Sequence, residues 1–309
     1  MQPQRPSPSR LGIAFGGGGM KGWSHLGVLS VLDRYGLRAD VVSGSSAGAL
    51  IGAYYAFGYS LDEMCDMMRR QRTSSLFSFR FDGLGLLNTD AFRTYLTETL
   101  KDCTFDDLEI PFYVICTDLE TGKEVVVNRG RLVDAILASS AVPGVFSPVE
   151  IDGRLLVDGG LCNNVPVSAL VHHGAQYTIA VRLHQDFNGL NAFPLRRAKA
   201  AAPDERVSLS LWGARLRRTL LGDNGHMPNG LEVLGRSMEI VVSQLESYRL
   251  QAHKPDVLIT PQVSHVSTLS FGEEKEDIFN CGARAAEAQA PLLEEIGVRL
   301  KAVRESSAL

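Results

Sequence analysis

The sequence lacks the features of a membrane-spanning or secreted protein. Its longest weakly polar run, residues 47–59, has 13 residues, whereas a helix needs roughly 20 apolar residues to cross a bilayer. The first ten residues are polar and proline-rich, and no apolar segment typical of a signal peptide follows them. We therefore expect a cytoplasmic protein, with any membrane association peripheral.

A large charge excess and paired cysteines are also missing. The net charge is −4, from 31 basic and 35 acidic residues, so the chain as a whole has no attraction for nucleic acid. The five cysteines are an odd number without the short spacings of metal ligands or redox pairs, which indicates reduced thiols. With 309 residues, of which 45% are hydrophobic, the chain is long enough to bury a large core.

Short apolar runs alternate with helical patterns from the start of the chain. The first 60 residues predict a strand at Leu11–Phe15, a helix ending near Tyr35, a strand at Asp40–Ser43 and a helix at Ala47–Phe57. Further strands are predicted over 112–116, 177–183 and 256–260, hairpin turns in "VVVNRG" and "VEIDGRLLVDGG", and one closing helix over 273–304. This alternation is typical of a parallel sheet covered by helices on both faces.

The pattern predicts one domain over residues 8–303 with a lid-like insertion at about 186–230. Within that insertion, residues 207–221 place Leu209, Trp212 and two further leucines on one helical face, and residues 196–218 have a charge excess of +5. Such a segment is either a membrane-contact helix or a helix packed on the domain. Co-sedimentation with anionic vesicles, compared with a Trp212→Ala/Arg217→Ala/Arg218→Ala variant, distinguishes the two.

Four consecutive glycines, Gly16 to Gly19, follow the first predicted strand. With Gly22 they satisfy G-x-G-x-x-G, the pattern of a dinucleotide-binding turn. Backbone N–H groups at such a turn serve either a phosphate or the oxyanion of an acyl-transfer intermediate, and a simple tight turn needs fewer glycines. The acidic residue that a dinucleotide site needs after the second strand is missing, because Asp40 precedes that strand.

The second strand ends instead in Gly44-Ser45-Ser46-Ala47-Gly48, a G-x-S-x-G pattern. In such a turn the glycines relieve crowding, and the central serine projects above the sheet at the start of a helix. Glycine and serine are common in any tight turn, so this pattern alone is a moderate indication. Together with a glycine-rich donor loop one strand away, it predicts that Ser46 is a nucleophile.

A nucleophilic serine needs a base, because its hydroxyl is unreactive at neutral pH. None of the seven histidines lies in a segment expected to return to Ser46. Asp158, in "LLVDGGLCNN", ends an apolar run and precedes two glycines. A plain Asp-Gly turn is the alternative, but the residues that follow do not read as a returning strand. Asp158 is therefore the candidate general base.

In order and spacing, the three motifs resemble the patatin-like phospholipase family. The matching residues are Gly17, Gly18, Gly19 and Gly22 in the glycine-rich motif (which also contains Lys21), Gly44, Ser46 and Gly48 in the elbow, and Asp158, Gly159 and Gly160 in the third motif. The segment 139–167 resembles the bacterial branch related to neuropathy target esterase. In this segment Asn163, Asn164 and Pro166 also match the family, and we assign them only a supporting role. Two positions depart from the family pattern: Gly16 stands where many members have Asp, and Lys21 where most have Arg.

The resemblance implies a three-layer αβα patatin-like sandwich with a mainly parallel central sheet. It also implies a serine lipid acyl hydrolase of the phospholipase A, lysophospholipase or carboxylesterase type, without cofactor or metal. Ser46 would attack the ester of a phospholipid or lysophospholipid, Asp158 would take its proton, and the N–H groups of Gly17, Gly18 and Gly19 would hold the oxyanion. The alternative is a catalytically weak or vestigial protein that acts as a regulatory binding module. The oligomeric state stays open.

Overall fold

A computed structural model describes residues 10–70, 78–79, 87–183, 230–266 and 275–307. The described residues up to 183 and from 245 onwards form one compact unit, and residues 230–244 belong to a second. Apart from its last residue, the predicted insertion at 186–230 lies outside the described residues, and so does the whole of segment 207–221. Both therefore stay predictions. All the residues of the candidate site lie in the first unit.

A mixed sheet is the centre of the first unit. The strands in chain order are β1 (Leu11–Phe15), β2 (Val41–Ser45), β3 (Ser78–Phe79), β4 (Leu87–Asn88), β5 (Phe112–Asp118), β6 (Glu124–Val127), β7 (Val149–Ile151), β8 (Arg154–Asp158), β9 (Tyr177–Val181) and β10 (Val257–Ile259). Eight of them form the sheet, in the order β10-β9-β1-β2-β5-β8-β7 with β6 paired to β5, while β3 and β4 pair separately. Strands β10, β9, β1, β2 and β5 run parallel, which confirms the predicted mainly parallel sheet.

Helices surround this sheet in the sequence order expected of an α/β protein. They are α1 (Trp23–Arg34), α2 (Ala47–Ala56), α3 (Leu61–Arg70), α4 (Asp90–Thr99), α5 (Leu132–Ser139), α6 (Gly160–Asn163), α7 (Val167–His172), α8 (Gly230–Ala252), α9 (Lys275–Glu287) and α10 (Ala290–Ser307). The described part of the chain also has two short 3₁₀ turns, at Gly19–Gly22 and Phe105–Asp107. Residues 245–252 of α8 belong to the first unit.

The two faces of β1 show how the sheet is covered. Leu11, Ile13 and Phe15 pack in one buried cluster with residues of α1, α2 and α9. Ala14 points to the opposite face, where it packs in a second cluster with Leu170 of α7. Because successive side chains of a strand point to opposite faces, β1 is buried on both sides. This arrangement gives the three layers of the predicted sandwich.

Several sequence predictions can be compared directly with these elements. Strand β1 has the predicted bounds, and Asp152-Gly153 forms the predicted hairpin turn between β7 and β8, with positive φ at both residues. The prediction of a hairpin at "VVVNRG" is wrong, because β6 pairs with β5, the strand before it, and the chain then enters α5. The predicted closing helix is two helices, since Pro291 lacks the N–H needed to continue α9 and favours the first turn of α10.

Candidate active site

Ser46 lies in the turn between β2 and α2 with an unusual backbone conformation. Its φ is 52° and its ψ is −122°, a conformation that is costly for a residue with a Cβ and is kept only where the surroundings enforce it. Although Ser46 occupies the N-cap position of α2, its side chain makes no capping hydrogen bond. The turn therefore presents a half-buried hydroxyl at the positive end of a ten-residue helix.

The glycines on either side of Ser46 allow the backbone to pack closely. A Cβ added at Gly44 would lie 2.4 Å from the Gly48 carbonyl oxygen. A Cβ added at Gly48 would lie 2.1 Å from the Phe15 carbonyl oxygen. Since no side chain fits at either position, these two glycines let the first turn of α2 approach the end of β1, where the glycine-rich loop begins.

The glycine-rich loop lies directly against Ser46. A Cβ at Gly17 would be 3.0 Å from the Cβ of Ser46, and a Cβ at Gly22 would be 3.0 Å from that of Ala47. Gly19 has a φ of 56°, in the left-handed region that glycine adopts without strain. Lys21 is only 7% exposed as a whole residue, so it is buried and not a surface residue.

Backbone hydrogen bonds fix the start of this loop. The Gly16 N–H donates to the Val181 oxygen at 3.0 Å, and the Gly17 N–H donates to the Asn164 oxygen at 3.2 Å. The backbone bonds recorded for the described residues include none from the N–H groups of Gly18 or Gly19. Of the three predicted oxyanion donors, the Gly17 N–H thus has a backbone acceptor in this structure.

Strand β5 places Asp158 next to the turn that carries Ser46. Ser45, at the end of β2, pairs with Ile115, and Asp158, at the end of β8, pairs with the next residue, Cys116. A Cβ at Gly159 would lie 2.8 Å from the Ser45 hydroxyl oxygen. Consecutive positions of one strand therefore bring the turn after Asp158 into contact with the turn that carries Ser46.

Hydrogen bonds hold Asp158 in a buried setting. Its side chain and backbone together are 8% exposed, and its Oδ1 accepts the Gly160 N–H at 2.8 Å. The Thr117 hydroxyl donates to the Asp158 backbone oxygen at 2.9 Å. Gly160 begins α6, so the chain after the Asp-Gly-Gly motif is helical and does not return as a strand, as the sequence predicted. These contacts fix the direction of the carboxylate.

The neighbouring Cys116 thiol does not compete as a nucleophile. It is fully buried, and burial, followed by the negative charge of Asp158, raises the pKa of this thiol far above its usual range. Since the thiolate is the reactive form of cysteine, Cys116 is an inert neighbour. Its role is to pair with Asp158 in the sheet.

Among the described residues, one histidine contacts the glycine-rich loop. His25 is fully buried, and its Nε2 lies 2.8 Å from the Gly16 oxygen. Burial lowers the pKa of His25 to about 4, so the ring is neutral, and Nε2 carries the proton because a carbonyl oxygen only accepts. The other described histidine side chains with hydrogen bonds, His173 and His265, contact Ala169 and Asp277. No described histidine hydrogen-bonds to Ser46 or Asp158.

Two further polar side chains at the site were not among the predicted catalytic or oxyanion-binding residues. The buried Ser139 hydroxyl accepts the Ser46 N–H at 2.8 Å and donates to the Ile115 oxygen at 2.6 Å. Asn164, for which the sequence indicated only a supporting role, hydrogen-bonds to Gly17. Neither contact has a sequence signal, because the partners are about 93 and 147 residues apart and buried polar contacts follow no period.

One group of possible metal ligands occurs among the described residues, and it contains none of the candidate active-site residues. His265, Asp277 and Cys281 place their ligand atoms within 4.8 Å of one another. The Arg284 guanidinium is 3.1 Å from the Cys281 sulfur, so positive charge is already present there.

None of the described helices has the length and hydrophobicity needed to cross a bilayer.

Comparison with known proteins identifies relatives along most of the chain. An uncharacterised NTE family protein of Mycobacterium tuberculosis is 35% identical over 224 residues, which are 70% of this chain and 61% of that protein. Lysophospholipase NTE1 of Kluyveromyces lactis is 25% identical over 89% of this chain and 19% of its own length. The chain therefore spans less than two thirds of the mycobacterial relative and about a fifth of the fungal one.

A solved structure and a family model agree with these relatives. The crystal structure of VipD from Legionella pneumophila matches with a TM-score of 0.59 at 16% identity, over 94% of this chain and 67% of that one, which supports the fold alone. The family model described as patatin-like phospholipase matches residues 13–171. That range begins in β1, ends in α7 and includes Gly17, Ser46 and Asp158. The chain belongs to the patatin-like phospholipase family.

Proposed function

We propose that this protein is a serine hydrolase of lipid acyl esters in which Ser46 is the nucleophile and Asp158 the general base. The observation that carries the proposal is the pairing of Ser45 and Asp158 with consecutive residues of β5, beside a glycine loop that contacts Ser46 through Gly17. A nucleophile, a base and oxyanion donors are the three parts that acyl transfer needs. Family membership makes a lipid the expected substrate class.

In the first half of the reaction, Ser46 Oγ attacks the ester carbonyl carbon. Asp158 takes the hydroxyl proton as the new C–O bond forms, and the carbonyl oxygen becomes an oxyanion. The N–H groups of Gly18 and Gly19 are the donors for that oxyanion, and Gly17 can join them only by leaving the Asn164 oxygen. Collapse of this intermediate breaks the ester bond. The departing alcohol takes the proton from Asp158, and Ser46 remains acylated.

In the second half, Asp158 takes a proton from water, and the resulting hydroxide attacks the acyl carbon. The same loop holds the second oxyanion. When the bond to Ser46 breaks, its oxygen recovers the proton from Asp158, and a fatty acid leaves. The carboxylate thus acts as base and then as acid in both halves, and no metal or cofactor is required.

The location of the site supports an ester substrate over a nucleotide. The carboxyl ends of parallel strands are where α/β sheets bind ligands, and both glycine turns lie there. No acidic side chain ends β2, whose last residue is Ser45. Among the relatives, the fungal protein is named a lysophospholipase, and we extend a phospholipid or lysophospholipid substrate to this chain as part of the proposal. Peripheral membrane contact through 207–221 remains a separate prediction.

Hydrolysis of lysophosphatidylcholine and of p-nitrophenyl esters by the purified protein tests the proposal. We expect Ser46→Ala and Asp158→Asn each to lower kcat by at least about 10³-fold, the usual scale for losing one member of a catalytic set. A fluorophosphonate should label wild type and Asp158→Asn on Ser46, with slower labelling of the second. Gly297→Ala, a change in α10 whose added Cβ would lie 3.8 Å from its nearest neighbour, Leu37 Cδ2, is the matched control.

The outcomes separate the candidate roles. Turnover by wild type that persists in Ser46→Ala would place the chemistry elsewhere. Wild-type protein that hydrolyses none of these esters and resists the fluorophosphonate would favour the regulatory binding module. Stabilisation by a nucleotide would favour the dinucleotide interpretation of the glycine loop.

A further inference from the structure

Asn164 clamps the glycine-rich loop at Gly17. Its backbone oxygen accepts the Gly17 N–H at 3.2 Å, and its side-chain Nδ2 donates to the Gly17 oxygen, also at 3.2 Å. A Cβ at Gly17 would lie 2.5 Å from Asn164 Oδ1, so the amide packs directly on the glycine. One residue therefore fixes both backbone groups of the glycine that contacts Ser46.

A buried carboxylate fixes the orientation of that amide. Glu246, at 1% exposure, accepts a hydrogen bond from Asn164 Nδ2 at 2.6 Å. A carboxylate only accepts, so the NH₂ end of the amide must face it. The two N–H bonds of Nδ2 are then both used, one on Glu246 and one on Gly17. Rotating the amide by 180° would break both contacts.

Arg182 balances the charge of Glu246. Its Nε donates to Glu246 Oε1, and its Nη2 donates to Ser247 Oγ at 2.8 Å. The Arg182 backbone N–H also donates to the Ile259 oxygen at 2.9 Å, which holds this residue at the end of the sheet. The next residue, Leu183, packs on Gly18, where an added Cβ would be 2.9 Å from the Leu183 Cβ.

The contribution of the Arg182–Glu246 ion pair to stability does not explain why two charged residues are buried here. Both side chains are removed from water, with 9% and 0% of their surfaces exposed. The desolvation penalty of such a pair often matches or exceeds its Coulombic gain, and apolar residues of similar volume are often equally stable or better. An apolar pair could not accept the Asn164 amide proton. The charged pair therefore fixes the orientation of the Asn164 amide, which an apolar pair could not do.

We propose that Arg182 and Glu246 are positioning residues for the oxyanion donors, acting through Asn164 on the glycine-rich loop. The inference rests on the proposed function, since it assigns the loop a part in acyl transfer. The pair holds the amide, the amide holds Gly17, and Gly17 sets the direction of the N–H groups of Gly18 and Gly19. Small errors in such donors reduce turnover more than substrate binding.

The test replaces both charges together by Arg182→Met/Glu246→Leu, so that no unpaired charge stays buried. We expect a melting temperature within about 5 °C of wild type or higher, and a kcat reduced about 10- to 100-fold with KM changed less than about threefold. Arg249→Met is the matched control: it breaks a partly buried ion pair to Glu124 from the same helix α8 and should keep kcat within about twofold of wild type. Wild-type kcat in the double variant would overturn the inference.

A second variant and a second measurement keep the test decisive. Asn164→Ala removes the amide but leaves the ion pair intact, and we expect it to lower kcat by the same factor as the double variant. It therefore tests the inference even if the double variant does not fold. Hydrogen exchange of the peptide covering residues 15–22 should be faster in both variants and unchanged in Arg249→Met. If wild type shows no ester turnover that Ser46→Ala abolishes, the proposed function fails by itself. Exchange at the loop then decides the positioning role, and an unchanged rate would overturn it.

Discussion

Removal of the Ser139 hydroxyl is the perturbation whose effect follows most directly from the structure. Ser139 is 0% exposed, accepts the Ser46 N–H at 2.8 Å and donates to the Ile115 oxygen at 2.6 Å. In Ser139→Ala both backbone groups lose this partner. An unsatisfied buried polar group costs about 1–3 kcal/mol, so we expect the free energy of unfolding to fall by about 2–4 kcal/mol.

The same change should reach the chemistry, because Ser46 has a φ of 52° that its surroundings must enforce. When its N–H is released, the turn can relax and the hydroxyl moves from its place. A displacement of about 1 Å at a reacting group can reduce turnover about 10²-fold. We expect kcat per fluorophosphonate-titrated site to fall about 10- to 100-fold in Ser139→Ala.

The assay compares Ser139→Ala with Ser140→Ala, the same substitution one residue along at a half-buried position. Melting temperature should fall by roughly 4–16 °C in the first variant, at roughly 2–4 °C per kcal/mol, and by less than about 2 °C in the second. Turnover is measured at 20 °C, well below either transition. If Ser139→Ala matches Ser140→Ala in both stability and kcat, the Ser139 hydroxyl does not hold the elbow and our account of Ser46 is wrong.

Two further predictions concern the frame around the site. Gly27→Ala should destabilise the fold by about 3 kcal/mol in urea unfolding, because its Cβ would lie 1.9 Å from the Phe279 oxygen in α9. Gly297→Ala in α10, whose added Cβ would lie 3.8 Å from its nearest neighbour, Leu37 Cδ2, should stabilise the fold by about 0.5–1 kcal/mol. Equal effects of the two substitutions would contradict the close packing of α1 on α9. The pKa of His25 is about 4 in the fold against 6.5 when unperturbed, so the unfolded chain binds the proton first and stability is lost as pH falls from about 6.5 to 4. The loss is roughly 3 kcal/mol at 1.4 kcal/mol per pKa unit, and a His25→Gln variant with the same pH dependence as wild type would show that another group is responsible.

The parts of the fold that the sequence predicted are those with a local cause. Apolar runs and glycine turns located β1, β2, α2 and the β7–β8 hairpin, since each depends on side-chain periodicity or on positive φ within a few residues. The direction in which β6 pairs and the division of the last helix were predicted wrongly. The first depends on which strand offers a free edge, and the second on how Pro291 starts a new helix after α9.

The sequence by itself determined the chemical groups of the site. The glycine run, the G-x-S-x-G turn and the Asp-Gly-Gly turn can each be recognised in the sequence. This is possible because only certain residues fit where the backbone packs closely against another segment or adopts a strained conformation. The tertiary structure alone decided how these groups meet. Strand β5 aligns Ser45 and Asp158 on neighbouring residues, and Asn164, Glu246 and Arg182 join the glycine loop from distant parts of the chain. Buried polar groups must find partners wherever the fold brings them, and that requirement leaves no pattern in the sequence.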